Sequence, residues 1–466
     1  MDKNKNSRSH QTTLTIQVSA WQPVCEREDG ALEESLGWPS RTLGWLRAAF
    51  MVGARRQMAW DLGDLGPEDV RAAAMAAAVF RRGVATVYRP LVLQASPSVI
   101  SLGKSLLEGI SADLSGRDQQ LFFVIDDAVA KSWPAVGELA GKFPSWIFKG
   151  GEAAKNLASM AALVKQLGSE RCTVVAIGGG VTLDLAGFAA GLLGCGHINI
   201  PTTLLAMADA AVGGKTGVNF EAWGKNQVGL FHFPERVIVC AEFLHTLPKE
   251  EIRAGGAECL KHALLAEDMD LLEQWAEFLR DPSLNDTNSS EINSMITAVA
   301  EMKEAFVRVD PFEHGSQREL LNLGHTIAHS LEAVDGLKGV AGKRDPKFGL
   351  RHGTAVAFGL MCKVQLMVAI QPEAADTGRK IVKCLTNSGC LDDFRLWYAK
   401  TGLGAGELWS LMVPFLMQDK KIKSHTPSMC RIVGLQWNSV SGKPVPAASD
   451  VSMDDLRAAF EKALLN

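Results

Sequence analysis

The sequence predicts an α/β domain over residues 88–245 followed by an all-α C-terminal domain over 246–466, with a mainly helical N-terminal extension over 1–87. Three observations carry this expectation. From about residue 88 short apolar runs alternate with segments at helical spacing, the strand–helix pattern of a parallel sheet. Beyond Thr246 the β-branched runs almost vanish and the periodicity becomes amphipathic and helical. The first 85 or so residues hold four of the eleven tryptophans (Trp21, Trp38, Trp45, Trp60) and an Ala-rich, Arg-punctuated stretch at 70–82, VRAAAMAAAVFRR, whose residue types favour helix.

Taken in order, the expected strands are VYRPLVLQ (87–94), QLFFVID (120–126), CTVVAIGGG (172–180), HINIPTT (197–203) and RVIVC (236–240). Between them, AAKNLASMAALVKQLG (153–168) has helical spacing. The second half reads as helices over 250–279, 293–309 and 318–334, with a polar turn at 281–290 and a Gly- and Lys-rich loop at 334–349. The sequence has no internal repeat or low-complexity tract.

The 466 residues are 47% hydrophobic and 21% charged, which sets the chain apart from disordered proteins and gives it enough apolar mass for two or three domains. The formal charge of −4 provides no basic field, so neither nucleic acid nor an anionic membrane is an expected partner. Nine cysteines occur with no CxxC pair, which speaks against a disulfide framework or a zinc knuckle and for a reducing compartment. The polar start MDKNKNSRSHQTTLTIQ lacks the apolar core of a secretory signal, and no uninterrupted apolar run reaches membrane-spanning length. A cytoplasmic location is expected.

Two glycine-rich segments carry chemistry in the α/β half. In AIGGGVTLDLAG an apolar strand runs into Gly178, Gly179 and Gly180 and then opens a helix, a geometry that lets backbone approach a ligand and offers N–H groups to a pyrophosphate. The dinucleotide fingerprint GxGxxG is not met, because Leu183 stands in place of its third glycine, and a purely structural turn is the alternative. IPTTLLAMADAAVGGKTGVN ends in Gly213, Gly214, Lys215 and Thr216 but has Asp209 where a P-loop needs its first glycine, so that reading is rejected. What remains is a Gly-flanked lysine followed by Lys225 and Asn226, able to hold an anionic or hydroxylated ligand, with a solvated basic loop as the alternative.

In the helical half, Arg318, Asn322, His325 and His329 are spaced +4, +3 and +4 and are expected to share one helix face. Two histidines, an arginine and an asparagine are an unusual choice for a merely solvated face. Glu258 and Lys261 lie one turn apart among apolar neighbours, where each must be paired or ligated. His352 opens another apolar helix, where a lone histidine is more often structural. Glu258, His325 and His352 together have the donor types of a catalytic zinc site with open positions.

The ordered blocks GGEAAKN, GGGVTLDLAGFAA, PTTLLAMADAAVGGKTGVN, GKNQVG, AECLKH, LLNLGHTIAHSLE, HGTAVAFG and QDKK, spanning about residues 95 to 430, resemble the sugar phosphate cyclases, most closely their 3-dehydroquinate synthase branch. That resemblance implies an NAD-binding α/β domain, a helical domain and a site in the cleft between them. It implies NAD and a divalent metal, zinc or cobalt, and a homodimer. Transferred residue by residue, it implies metal ligands Glu258, His325 and His352 and NAD contacts at Asp126, Glu152, Lys155, Gly179, Gly180, Asp184, Thr202 and Thr203. Asp209, Lys215, Lys261, Lys303, Arg318, Asn322 and His329 would act in catalysis, and Lys225, Asn226 and Lys420 would hold substrate.

The chemistry implied is transient oxidation of a ring alcohol of a seven-carbon sugar phosphate, phosphate elimination, hydride return, ring opening and intramolecular aldol closure. Arg318 suits a planar carboxylate by bidentate contact, which favours 3-deoxy-D-arabino-heptulosonate 7-phosphate, the shikimate-pathway substrate. Two departures stand against the pattern. Cys195 replaces an arginine that in the family reaches phosphate, and Thr354 replaces an acidic residue near His352. The alternatives are a sister cyclase acting on another sugar phosphate, a metal-dependent alcohol dehydrogenase of similar layout, and a degenerate cyclase serving as a binding module.

Overall fold

The structure, a computed structural model, describes residues 13–18, 56–61, 92–95 and 120–465, the last with breaks at 169–171, 221–223, 284–288, 314–316, 338–348, 419–428 and 439–442. Within the N-terminal extension, β1 (Thr13–Val18) and β2 (Arg56–Asp61) pair antiparallel. These residues are strands where a mainly helical segment is expected, and β1 reads TLTIQV, an alternating run with four β-branched residues. The Ala-rich stretch at 70–82 that carries the helical expectation lies outside the described residues.

Strands β3 (Val92–Ala95), β4 (Gln120–Asp126), β5 (Ser145–Phe148), β6 (Cys172–Gly178), β7 (Gly196–Pro201) and β10 (Arg236–Val239) form one six-stranded sheet in the order β3-β10-β7-β6-β4-β5. Every pairing in it is parallel. All seven residues of β6, CTVVAIG, are buried, as a central parallel strand covered on both faces requires. Helices α1 (Asp127–Ser132), α2 (Leu157–Leu167) and α3 (Gly180–Leu193) complete this half, with α3 packed on β6 and β7. From β4 the chain first steps outward to β5 and then returns to the other side of β4 as β6. The order therefore reverses between β4 and β6, and in open α/β sheets ligands bind beyond the carboxyl ends of the strands at such a point. A hairpin of β8 (Lys215–Phe220) and β9 (Gly224–Phe231) overhangs that edge.

The helical half starts with α4 (Lys249–Leu265). The segment 250–279, read as one helical stretch, is two helices: Glu267 at φ 57° turns the chain, and Asp268 caps α5 (Met269–Arg280) by accepting from the N–H of Leu271. α6 (Ser289–Val309), α7 (His325–Asp335), α8 (His352–Ile370), α9 (Ala375–Asn387), α10 (Asp392–Thr401) and α11 (Ala405–Gln418) follow. α8 is the spine, packed by α4 and α7 and buried continuously from Gly353 to Met367. By length and composition it could cross a membrane, but 83% of its most apolar window is buried inside the protein. The helical half also contains an antiparallel hairpin, β11 (Met429–Asn438) with β12 (Lys443–Ser452), before the last helix α12 (Met453–Leu464). That hairpin departs from the all-α expectation, because Pro444, Pro446 and two alanines mask β12 as a strand.

Candidate active site

The carboxyl ends of β4 and β6 open into a cavity of about 1180 Å³ that runs across to the helical half. On the sheet side, Asp126 ends β4 and caps α1 by accepting from the N–H of Ala128 at 2.9 Å. Burial raises its carboxyl above the usual range. Gly179 caps α3 with no side chain, so the first N–H groups of that helix face the cavity. A Cβ at Gly179 would sit 3.1 Å from Thr203 Cγ2, so any larger residue would push into this wall. Lys155 Nζ reaches Asp184 Oδ2 and Asn226 Oδ1, each at 2.5 Å, tying α3 to the hairpin. Asn219 donates to Glu152 Oε1 at 2.7 Å. All eight residues expected to contact NAD line this one cavity.

The opposite wall carries Lys303, Arg318, His329, Glu332 and His352, with Glu258 and His325 buried behind it. Glu258 on α4 is fully buried, and Oε1 lies 3.4 Å from both His325 Nε2 and His352 Nε2. Donor atoms of the three residues lie within 4.8 Å of one another, and the two imidazole centroids are 5.2 Å apart. Nδ1 of His325 is within 3.2 Å of the Leu323 carbonyl, and Nδ1 of His352 is within 3.4 Å of Glu332 Oε2. Each ring thus has an acceptor at Nδ1, which turns the lone pair of Nε2 toward the common point. Burial would raise the Glu258 carboxyl, but Lys261, His325 and His352 hold it well below the usual carboxylate range. Burial, with Lys261 adding, lowers His325 well below the usual imidazole range. Burial works against charge on His352 too, yet hydrogen bonds to Glu258 and Glu332 carry it up to about 10. One anionic oxygen donor and two oriented imidazoles fit a small divalent cation, and without one a proton on His352 balances Glu258.

A second group, Asp209, Glu258 and His262, also has donor atoms within 4.8 Å of one another. Its charges are already matched. Lys261 Nζ contacts Glu258 Oε2, and Lys303 Nζ lies 2.8 Å from Asp209 Oδ1. Burial would raise Asp209, but Lys303 and Lys261 hold it below the usual range, while burial pushes His262 down to about 3. Lys303 already occupies Asp209, and this group offers a single imidazole, so the trio with two imidazoles is the better fit.

Among the other expected residues, Asp209, Lys215, Lys225, Asn226, Lys303, Arg318 and His329 line the cavity, and Lys261 is buried beside Glu258. Asp209 sits in a single π-helical turn, Ala206–Ala210, a distortion common at functional sites. Lys420 lies outside the described residues. Three expectations need correction. Arg318, Asn322, His325 and His329 do not share one helix: a 3-10 turn, Arg318–Asn322, ends at Leu323, and Gly324 at φ 81° restarts the chain as α7. A Cβ at Gly324 would also stand 3.1 Å from the Leu360 amide of α8. Asn322 consequently faces back to donate to Glu319 O at 2.9 Å and does not line the cavity. Arg318, expected to fork a carboxylate, turns Nη1 to Pro311 O at 2.6 Å and Nη2 to Gly213 O at 2.7 Å.

The third correction concerns His352, whose acidic neighbour was thought lost with Thr354. Thr354 is buried within α8, and Glu332 of α7 supplies a carboxylate to the ring instead. Cys195, in place of arginine, is buried away from the cavity, with its thiol 3.6 Å from that of Cys172. Two acidic groups escaped the sequence reading: Glu332, and Glu313, which pairs with Lys215 at 2.6 Å. The i, i+3 spacing of Glu332 from His329 was the available signal for the first.

Known proteins with similar sequences bear on this geometry. Residues 145–254 match the family described as 3-dehydroquinate synthase N-terminal, and residues 255–422 match 3-dehydroquinate synthase C-terminal. The 3-dehydroquinate synthase of Opitutus terrae is 40% identical over 265 residues, covering 55% of this chain and 68% of its own. That of Xanthomonas campestris pv. campestris is 36% identical over 305 residues, covering 61% of this chain and 78% of its own. A 2-epi-5-epi-valiolone synthase from Streptomyces hygroscopicus subsp. jinggangensis, solved with NAD+ and Zn2+, superposes at TM-score 0.61 and 23% identity over 81% of this chain and 97% of that one. A 2-deoxy-scyllo-inosose synthase with carbaglucose-6-phosphate, NAD+ and Co2+ superposes at 0.60 and 22% identity over 80% and 96%. An iron-containing alcohol dehydrogenase from Thermotoga maritima reaches 0.51 at 15% identity over 81% and 99%. At these identities the three structures share the fold.

Proposed function

The chain belongs to the 3-dehydroquinate synthase family, and from that premise we propose that it converts 3-deoxy-D-arabino-heptulosonate 7-phosphate to 3-dehydroquinate and phosphate, using NAD and one zinc or cobalt ion. Membership makes it a phosphate-eliminating cyclase, a carbon–oxygen lyase. The observation that carries the reading is a single cavity with the α3 N-terminus on one wall and His352 on the other, its donor atom within 4.8 Å of those of Glu258 and His325 buried behind it. NAD+ bound together with Zn2+ or Co2+ in structures of the same fold supports both cofactors.

When bound, NAD would take up and return a hydride, and the cation, held by Glu258, His325 and His352, would polarise the oxygen that passes between alcohol and ketone. The chain's own residues do the rest. The bare N-terminus of α3 at Gly179 and Gly180 would face the pyrophosphate, with Asp126, Glu152, Lys155, Asp184, Thr202 and Thr203 along the same channel. Lys261 is pinned beside Glu258 and fully buried, so it is a fixed charge. Lys303, held by Asp209, is another, and burial lowers its ammonium from the usual range, easing proton exchange with a substrate hydroxyl.

Lys215 and Lys225 differ. Their pairs, with Glu313 at 2.6 Å and Glu332 at 3.9 Å, leave the lysine side chains 49% and 65% exposed. Exposed pairs of this kind contribute about 0–1 kcal/mol, so a phosphate dianion can recruit both lysines at small cost. Asn226 and His329 would complete the polar lining. The phosphate on leaving is thus met by mobile cations, while the ring is held against fixed ones.

A sister cyclase acting on a sugar without a carboxylate is the second reading. The orientation of Arg318 favours it, since both terminal nitrogens already donate to main-chain carbonyls. A reducing, cytoplasmic setting fits the seven described cysteines that are free thiols, and the family resemblance adds the expectation of a homodimer, readable by light scattering. The deciding test is phosphate release from the heptulosonate phosphate, sedoheptulose 7-phosphate, glucose 6-phosphate and an amino-substituted heptulosonate phosphate, with NAD and metal supplied. The main proposal expects turnover of the first without net NADH. Release from another sugar alone would select the second reading, and steady NADH accumulation would overturn both.

A further inference from the structure

The two imidazoles facing Glu258 are oriented by different means. His325 has a main-chain acceptor, the Leu323 carbonyl, which no substitution removes. His352 is the first residue of α8, its side chain is 32% exposed against 11% for His325, and its Nδ1 meets the carboxylate of Glu332. We propose that Glu332 is the positioning residue that fixes His352 as an Nε2 metal donor, taking the place of the acidic side chain absent at Thr354. The inference rests on the metal reading of Glu258, His325 and His352.

Geometry and topology support it together. The two nitrogens of an imidazole point to opposite sides of the ring, so an acceptor held at one directs the other. Glu332 Oε2 is 3.4 Å from His352 Nδ1, and Glu258 Oε1 is 3.4 Å from His352 Nε2, which places the ring between two carboxylates. Glu332 follows His325 by seven residues and His329 by three, so one face of α7 delivers both a donor to the site and the partner of a donor on α8. The other oxygen, Oε1, lies 3.9 Å from Lys225 Nζ on β9. A role confined to that lysine pair is the competing explanation, and it makes a different prediction.

The test is the affinity of the metal-free, NAD-free full chain for Co2+ and Zn2+, by competition with a chromophoric chelator, together with the visible spectrum of the Co2+ form. Glu332→Ala is expected to weaken binding about 10- to 100-fold and alter the Co2+ spectrum. Glu332→Gln, whose amide oxygen can still accept from Nδ1, should recover most of the loss, and Lys225→Met should stay within threefold of wild type. Thermal melting of the metal-free variants is expected to show each one folded, with Glu332→Ala melting somewhat below wild type because His352 loses a partner carboxylate. Should Glu332→Ala fail to fold, Glu332→Gln against Glu332→Leu carries the same comparison. Wild-type affinity in Glu332→Ala, or an equal loss in Lys225→Met, overturns the proposal. Glu258→Gln separates the levels: if it too keeps full affinity the metal reading itself is wrong, whereas loss there with none at Glu332 rejects only the positioning role.

Discussion

On the sheet side of the cleft the α3 N-terminus meets the cavity through main chain and small side chains, Gly179, Gly180, Thr202 and Thr203, with Asp126, Glu152 and the Lys155–Asp184 pair around them. On the helical side the cavity meets Lys303 on α6 and Arg318 on the turn before α7, with the Glu258 and Lys261 pair of α4 buried behind the wall. The first wall depends on empty space, because a Cβ at Gly179 would already press on Thr203 Cγ2 at 3.1 Å where backbone must meet ligand. The second depends on balance, because each buried charge is tolerable only while its partner remains. The same substitution logic therefore cannot serve both walls.

The largest effect is expected where balance is broken. Glu258→Gln should abolish metal retention by elemental analysis and lower turnover by about a thousandfold or more, given the several kcal/mol that an ion supplies to such chemistry. It also strands Lys261, so stability measured by denaturant titration should fall by about 3–5 kcal/mol. Intact metal content would erase the distinction between the walls. Next comes filling of space: Gly179→Val should weaken NAD binding by at least about tenfold, roughly 1.4 kcal/mol, while metal affinity stays as in wild type. Titration of protein fluorescence with NAD checks this, and undiminished affinity would show that the α3 N-terminus is not the pyrophosphate site.

A smaller effect sharpens the contrast inside the charged wall. Lys215→Met removes an exposed pair, so it should change stability by less than about 0.5 kcal/mol yet raise KM for the sugar phosphate by about tenfold. A large loss of stability there would mean that its pair with Glu313 is structural. The least visible prediction concerns the sheet domain's interior. Burial, with His232 adding, pushes His197 down to about 3, so it stays neutral in the folded chain at pH values where the unfolded chain binds a proton. Its folded value lies below its unfolded one, so stability is intact above about pH 6.5 and declines as pH falls toward 3, by up to about 1.4 kcal/mol per unit. His197→Leu should flatten the melting temperature between pH 6.5 and 5 relative to wild type.

Residue types alone made much of the site legible. A carboxylate and two histidines among apolar neighbours are costly to bury without a shared task, and Glu258, His325 and His352 do converge. Five of the six strands of the parallel sheet announced themselves as apolar runs, while β5 reads SWIF, a serine and two aromatics around a single β-branched residue, and did not stand out. Partners without a signature of their own stayed hidden. The carbonyls of Pro311 and Gly213 that occupy Arg318 could be any residue's, and Glu332 looks like one more acid on an amphipathic helix until α8 is laid against it. Perfect i, i+3 and i, i+4 spacing across 318–329 concealed a break, because periodicity counts residues and does not register the left-handed turn at Gly324.

That break has a mechanical consequence. The 318–322 turn and the helix bearing His325 and Glu332 are separate elements joined at Gly324, and the helix is held by its packing on α8. Substitutions that reshape the turn for a differently sized sugar are therefore expected to leave the coordination frame in place, so that specificity is open to change upstream of Gly324 and ion binding is retained downstream of it.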